Sequence, residues 1–188
     1  MVKHDFAPSS MWITTCSNVL DALAEAPNPQ SAMQQIESVC RIVAGPGIFS
    51  IQMNVTTAAD PLNEVLLQRF YSSKQGLWPV SGRKRKVHTR WTDTLFVRGE
   101  VCLTEGAEAL EQTFDDYAQM RPLGLNAAIN VPLMKAQRCY ATFNVFGTAN
   151  VWQPHQVLAV RLLALAAARW LTPADNLFYS FDRSTPID

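Results

Sequence analysis

Apolar and polar positions along the chain change period twice, and each change marks a set of elements. From Ser17, the residues Val19, Leu20, Leu23 and Ala24 recur at helical spacing, with Ser17 placed to cap the first turn. Pro27-Asn28-Pro29 ends that helix. A second begins at Ser31, with Met33, Ile36, Val39, Cys40 and Val43 on one face, and Gly45-Pro46-Gly47 closes it. The period then falls to two. Phe49, Ile51, Met53 and Val55 point one way and Ser50, Gln52 and Asn54 the other, which predicts a strand from Ile48 to Val55. Asp60-Pro61 marks a turn, and Val65 to Tyr71 reads as a second strand that pairs with the first.

The middle of the chain is irregular. A loop from Leu77 to Gly82 leads into the basic run Arg83 to Lys86, read as a solvated hairpin tip. A short helical segment around Trp91 to Phe96 and a brief strand at Val101 to Leu103 follow. Thr104 is placed to cap a helix that runs to Met120, with Glu105 and Glu108 in its first turns. Alternation returns at Leu125 to Leu133 and at Tyr140 to Phe146, a hairpin across the polar turn Lys135 to Arg138. Pro154 then opens a helix from Gln156 to Leu171 whose only charges are Arg161 and Arg169. Antiparallel strands with helices at both ends describe an α+β sheet.

Composition narrows the classes. The 48% hydrophobic content of 188 residues fills a core without disulfide or metal staples. Sixteen basic and sixteen acidic residues cancel, which argues against nucleic acid, whose phosphates demand excess positive charge. The longest apolar stretch, Leu162 to Ala168, is far short of the roughly 20 residues of a membrane span, and the first residues lead into no signal-peptide run. Cys16, Cys40, Cys102 and Cys139 show no zinc spacing and read as reduced thiols of a cytoplasmic protein. The expected organisation is a flexible tail over 1–10, one domain over 11–175, and a C-terminal tail over 176–188.

Three segments carry a family resemblance. Leu123 to Leu133 (LGLNAAINVPL) resembles the GAF-family strand that ends in a hydrophobic-Pro-hydrophobic triplet. Tyr140 to Phe146 (YATFNVF) resembles the strand that follows it, although Ala141 stands where the family commonly has glycine and the turn lacks glycine as well. Trp152 to Leu158 (WQPHQVL), leading into an Ala/Leu-rich helix, completes the set. The resemblance implies a GAF/PAS-like central antiparallel sheet of about five to six strands. Terminal helices would lie on one face and the variable loop and helix segment on the other. It also implies a small-molecule pocket beneath that variable segment. GAF-like domains bind cyclic nucleotides, haem, bilins, organic acids and amino acids, so the ligand and any cofactor stay unnamed.

The alternation supports such a pocket independently. If the apolar strand faces meet the terminal helices, Ser50, Gln52, Asn130, Thr142 and Asn144 converge on the other side, with Tyr140 and Phe146 as aromatic walls. Buried amides and hydroxyls need partners, and a ligand is one source; each other, the loops and ordered water are the alternative. Trp78, Trp91 and Phe96 lie in the segment that roofs the site, either to stack on a planar ligand or to form a second small core. His88 sits close by, as a ligand contact or a solvated strand residue, and Cys102 reads as a sensor thiol or an ordinary buried one. GAF-like enzymes that reduce free methionine sulfoxide use several close cysteines here, whereas only Cys102 falls in the region.

The last helix is apolar nearly all round: Val157, Leu158, Val160, Leu162, Leu163, Leu165 and Trp170 cannot share one face. The first helix covers part of it, and the remainder predicts a homodimer through the N- and C-terminal helices. The leading expectation is a stand-alone regulator that binds a small molecule and passes the signal to a separate output protein. A small enzyme using His88, Cys102 and Tyr117, and a degenerate dimerisation scaffold, are the alternatives.

Overall fold

The computed structural model describes residues 10–182, so all but Ser10 of the tail expected over 1–10, and residues 183–188 of the one expected over 176–188, lie outside the described part. The first helix begins seven residues before the start read at Ser17: α1 spans Ser10–Ala24 and α2 spans Pro29–Ala44. Asn28 does not merely end α1. Its side chain accepts a hydrogen bond from the Ser31 amide at 2.9 Å, while Pro29 occupies the first helical turn, where its missing N–H is no loss.

The six strands are β1 (Gly47–Asn54), β2 (Glu64–Ser72), β3 (Arg83–Val87), β4 (Cys102–Glu105), β5 (Ala127–Lys135) and β6 (Arg138–Gly147). They form one sheet in the order β3-β2-β1-β6-β5-β4, with every neighbouring pair antiparallel. The basic run is therefore an edge strand rather than a hairpin tip. Between β3 and β4, α3 (Arg90–Thr92), capped by Thr89, runs into a π-helical turn at Asp93–Val97. The single helix expected from Thr104 to Met120 is instead two. Thr104 stays in β4, α4 covers Ala107–Thr113, and α5 covers Tyr117–Met120 after a break where Phe114 adopts extended backbone. Finally α6 (Pro154–Ala168) is held at its start by Gln153 and Gln156, the Gln153 amide donating to Gln156 Oε1 at 2.9 Å.

Alternation sorts the strands onto two cores. Phe49, Ile51, Ala127, Ile129, Val131, Phe143 and Val145 face α2 and α6, and α1 packs on α2. On the opposite face, Ile48, Val65, Leu67, Ala128 and Phe146 meet Trp78, Trp91, Leu95, Phe96, Leu110 and Phe114. Two bulges shift this parity. Across β1 and β2 the register passes from Ile51↔Tyr71 to Gln52↔Arg69, leaving Phe70 unpaired. Across β5 and β6 it passes from Leu133↔Ala141 to Met134↔Cys139, leaving Tyr140 unpaired. The second bulge turns Tyr140 into the helix-covered core and sends Cys139 to the other face, so Tyr140 is not a pocket wall as alternation predicted.

The sheet ends on a close approach. Gly47 pairs with Gly147, and a Cβ on Gly47 would lie 1.9 Å from the Phe146 carbonyl oxygen, so only glycine fits there. Residues expected to be tail are docked as far as Asp182. The Phe178 amide donates to the Thr56 carbonyl at 3.0 Å, and the Asn63 amide to the Ser180 carbonyl at 2.9 Å. The Tyr179 hydroxyl accepts from the Cys139 amide at 2.7 Å and donates to the Phe96 carbonyl at 3.2 Å.

Candidate functional site

The face of the sheet away from α2 and α6 holds the candidate site because β1, β2, β5 and β6 all present polar groups there under an incomplete roof. Ile48, Ser50 and Gln52 come from β1, Asn130 and Asn144 from β5 and β6, and Arg69 and Ser72 from β2. The roof consists of Trp78 from the loop after β2, Trp91 from α3, Phe114 from the α4–α5 break, and Met120. Between them lies a cavity of about 40 Å³ that opens to solvent.

Part of the polar face is satisfied internally. The Trp91 indole N–H donates to Asn130 Oδ1 at 3.0 Å, and Asn130 Nδ2 donates to Asn144 Oδ1 at 2.8 Å. Asn144 Nδ2 in turn donates to the Thr142 carbonyl at 3.2 Å and to its hydroxyl at 3.1 Å. All three polar strand residues are buried, so this chain fixes the Trp91 wall against the sheet. Ser50 and Gln52, by contrast, make no side-chain hydrogen bond among the described residues and border the cavity directly.

The mouth is charged. On β3, period two sends Lys84 and Lys86 inward while Arg85 turns out to Asp60 and Glu64 at 3.1 and 3.3 Å. Lys84 Nζ lies 3.2 Å from Asp116 and 3.4 Å from Asp115, and Lys86 Nζ lies 2.7 Å from Asp115. The Trp78 indole donates to Asp116 Oδ2 at 2.9 Å. Burial pushes the Asp116 carboxyl up, but the Lys84 charge and the Trp78 and Lys84 hydrogen bonds outweigh it and hold the group below its ordinary value. The Lys86 hydrogen bond holds Asp115 low as well, and burial depresses Lys86 itself. The basic run and the acidic pair Asp115 and Asp116 thus meet within one chain.

Of the ten residues singled out in the sequence, Ser50, Gln52, Trp78, Trp91, Asn130 and Asn144 border the cavity. The other four lie elsewhere. Thr142 is buried beside it, behind Asn144. Phe96 sits in the second core, its ring 6.0 Å from Trp91 and 5.8 Å from Tyr179. His88 stacks on Phe181 at 4.9 Å, under the docked C-terminal segment, with Asp93 Oδ1 3.8 Å from its Nε2. Cys102 pairs across from Asn130 on the short edge strand, and burial pushes its thiol up, away from the reactive thiolate. No hydrogen bond, ion pair or ring contact joins His88, Cys102 and Tyr117 among the described residues, although Tyr117, which opens α5, packs on the second core as Cys102 does. Among the described residues no group of three or more His, Cys, Asp or Glu is placed to hold a metal.

Arg69, Lys84, Lys86, Phe114 and Asp116 border the cavity without having been singled out. For Lys84 and Lys86 no signal was present: four consecutive cations carry no alternation, and Val87 lies on the exposed face with Arg83 and Arg85. For Arg69 none was either: the bulge at Phe70 decides which way it points.

No family model matches the chain, and no curated protein is similar to it in sequence. Solved structures are similar in fold. The chromophore-binding domain of a bacteriophytochrome from R. palustris superposes with a TM-score of 0.58 at 12% identity, over 85% of this chain. This chain spans 59% of that one's length. The GAF domain of an Acinetobacter phosphoenolpyruvate-protein phosphotransferase gives 0.56 at 12% identity, over 86% of this chain and 96% of its own. The PixJ GAF domain of Thermosynechococcus elongatus gives 0.52 at 14% identity, over 81% and 86%. No described helix is long and apolar enough to cross a membrane. With its antiparallel six-stranded sheet, helices packed on one face and an irregular roof on the other, the chain has the GAF-domain fold.

Proposed function

We propose that this domain binds a small molecule in the cavity under Trp78 and Trp91 and acts as a regulatory homodimer that passes the signal to a separate output protein. The observation that carries the reading is that Ser50 and Gln52 border the cavity with no partner for their side chains among the described residues, beside walls already fixed by their own hydrogen bonds. Polar groups left open on a covered face are where a ligand gains both contact and orientation. A similar fold named as a chromophore-binding domain supports a ligand-binding role for the domain. The cavity of about 40 Å³ limits the occupant to a compact one, well below the about 300–1,000 Å³ of sites for drug-sized ligands. Cys40, Cys102 and Cys139 are free thiols, which favours a reducing, cytoplasmic setting.

Thermal denaturation against a set of small neutral, anionic and cationic metabolites tests this. At least one class is expected to raise the melting temperature in a concentration-dependent way, and the Ser50→Val, Gln52→Leu double variant is expected to lose that shift. A double variant that keeps the shift would place the ligand elsewhere. If no compound shifts the transition, the scaffold reading takes its place.

The dimer rests on α6. Its Ala159, Val160, Leu163, Ala164 and Ala167 are buried, with α2 and β5 as its main neighbours among the described residues. Leu158, Leu162 and Leu165 stand 57%, 55% and 69% exposed. Spaced i, i+4 and i+7, they form one stripe, and a second copy related by a two-fold axis offers the same stripe. Sedimentation at micromolar concentration is expected to give a dimer, and Leu162→Glu a folded monomer. A wild-type monomer at that concentration removes the interface.

A further inference from the structure

We propose that the cavity takes a small carboxylate whose anionic group is held at the mouth by Lys84, Lys86 and Arg69, replacing Asp115. The inference rests on the ligand-binding reading above and names the class of ligand and the contact it displaces. Three cations border this cavity, and the only carboxylate among its bordering residues is Asp116. That carboxylate is fully engaged, by the Trp78 indole at 2.9 Å and by Lys84 at 3.2 Å. Arg69 has its Nε buried with no acceptor, while its Nη1 donates to the Pro79 carbonyl at 3.3 Å. A buried guanidinium N–H without an acceptor is an open demand for an anion or a carbonyl oxygen.

Asp115 stands apart from Asp116. It is 74% exposed, comes from the break between α4 and α5, and reaches back to Lys86 at 2.7 Å and Lys84 at 3.4 Å. An exposed carboxylate tied only to lysine ends is the one group at the mouth that leaves without exposing a buried charge. A ligand carboxylate that takes its place keeps Lys84 and Lys86 paired, and also reaches the side of the cavity where Arg69 lies. The ligand's body then faces Ile48, Trp91, Phe114 and Phe146, an apolar lining whose small volume suits a chain of one or two carbons. Release of Asp115 removes its two lysine ties from the α4–α5 break, while Asp116 keeps its own to Lys84 and Trp78. The occupied and empty states therefore differ at the α4–α5 break, which gives the site a route to signal.

Two isosteric pairs test the proposal on the full chain: acetate with acetamide, and propionate with propionamide. Binding is read by tryptophan fluorescence and by thermal shift. At least one acid is expected to bind, more tightly than its amide and less tightly as salt rises. Asp115→Asn removes the competing carboxylate at an exposed position, so it is expected to tighten the acid about two- to fivefold and leave the amide unchanged. Lys86→Met is expected to erase the acid's advantage. An amide that binds as well as its acid overturns the carboxylate proposal while leaving small-molecule binding in place. Acid affinity unchanged by Asp115→Asn and by Lys86→Met also overturns it. Failure of both acids to bind overturns it too, and the neutral and cationic metabolites of the broader set then decide the ligand-binding reading separately.

Discussion

Phe143→Ala is expected to lower the folding free energy by about 3–5 kcal/mol, the largest loss of any single truncation in this domain. Phe143 lies at the centre of β6, opposite Ile51 on β1 and Val131 on β5, and is fully buried. Its ring packs 4.7 Å from that of Phe49 at an interplanar angle of 45°, inside the core that joins the sheet to α2 and α6. Central strands cannot move inward to fill the space, because ladder hydrogen bonds on both sides fix the backbone; most of the cavity persists. Urea denaturation checks this: the midpoint should fall sharply while the slope stays constant. Phe143→Leu keeps most of the volume and should lose less than about 1.5 kcal/mol. A loss below about 1 kcal/mol for the alanine variant would mean that α2 or α6 closes onto the sheet, contrary to the packing described.

What could be read from the chain divides along physical lines. The β5–β6 hairpin, the α2 face and the two-sided character of the sheet were legible, since strict alternation and helical spacing report burial directly. That Asn130 and Asn144 share a face followed from the same parity. What alternation could not report is where the parity breaks. Bulges at Phe70 and Tyr140 have no glycine or proline to announce them, yet they decide that Arg69 faces the cavity and that Tyr140 does not. The interruption at Phe114 is equally silent in the sequence. It exists because the Phe114 ring packs 5.3 Å from Phe146 and 6.3 Å from Trp91, contacts made only in the fold. The docked segment around Tyr179 likewise depends on the Cys139 amide beside the β6 bulge and on the Phe96 carbonyl, both distant in sequence.

The same distinction between parity and partnership governs Asn130. A leucine there fits in size but abolishes two bonds at once, leaving the Trp91 indole N–H without its acceptor and Asn144 Oδ1 without its donor. Each buried group stranded in this way costs about 1–3 kcal/mol, so Asn130→Leu is expected to lose about 2–5 kcal/mol despite the added apolar surface. Asn130→Asp separates the network from mere packing. The carboxylate still accepts from Trp91, but it turns an acceptor toward Asn144 Oδ1 and buries a charge with no cation among its partners, so its folded pKa is raised. A carboxyl with a raised folded pKa is protonated in the fold while the unfolded chain has already ionised. Stability is then greatest below the unfolded value of about 4 and falls as pH rises, until the folded pKa is passed. Wild type carries the opposite dependence from Asp115 and Asp116, whose depressed values contribute stability that is lost as pH falls. Denaturation midpoints across the acid range are therefore expected to show the difference in stability between wild type and Asn130→Asp widening as pH rises through and above 4 (roughly the unfolded carboxyl value). A difference that stays constant with pH would mean that residue 130 is open to water and that the Trp91 wall is held by packing alone.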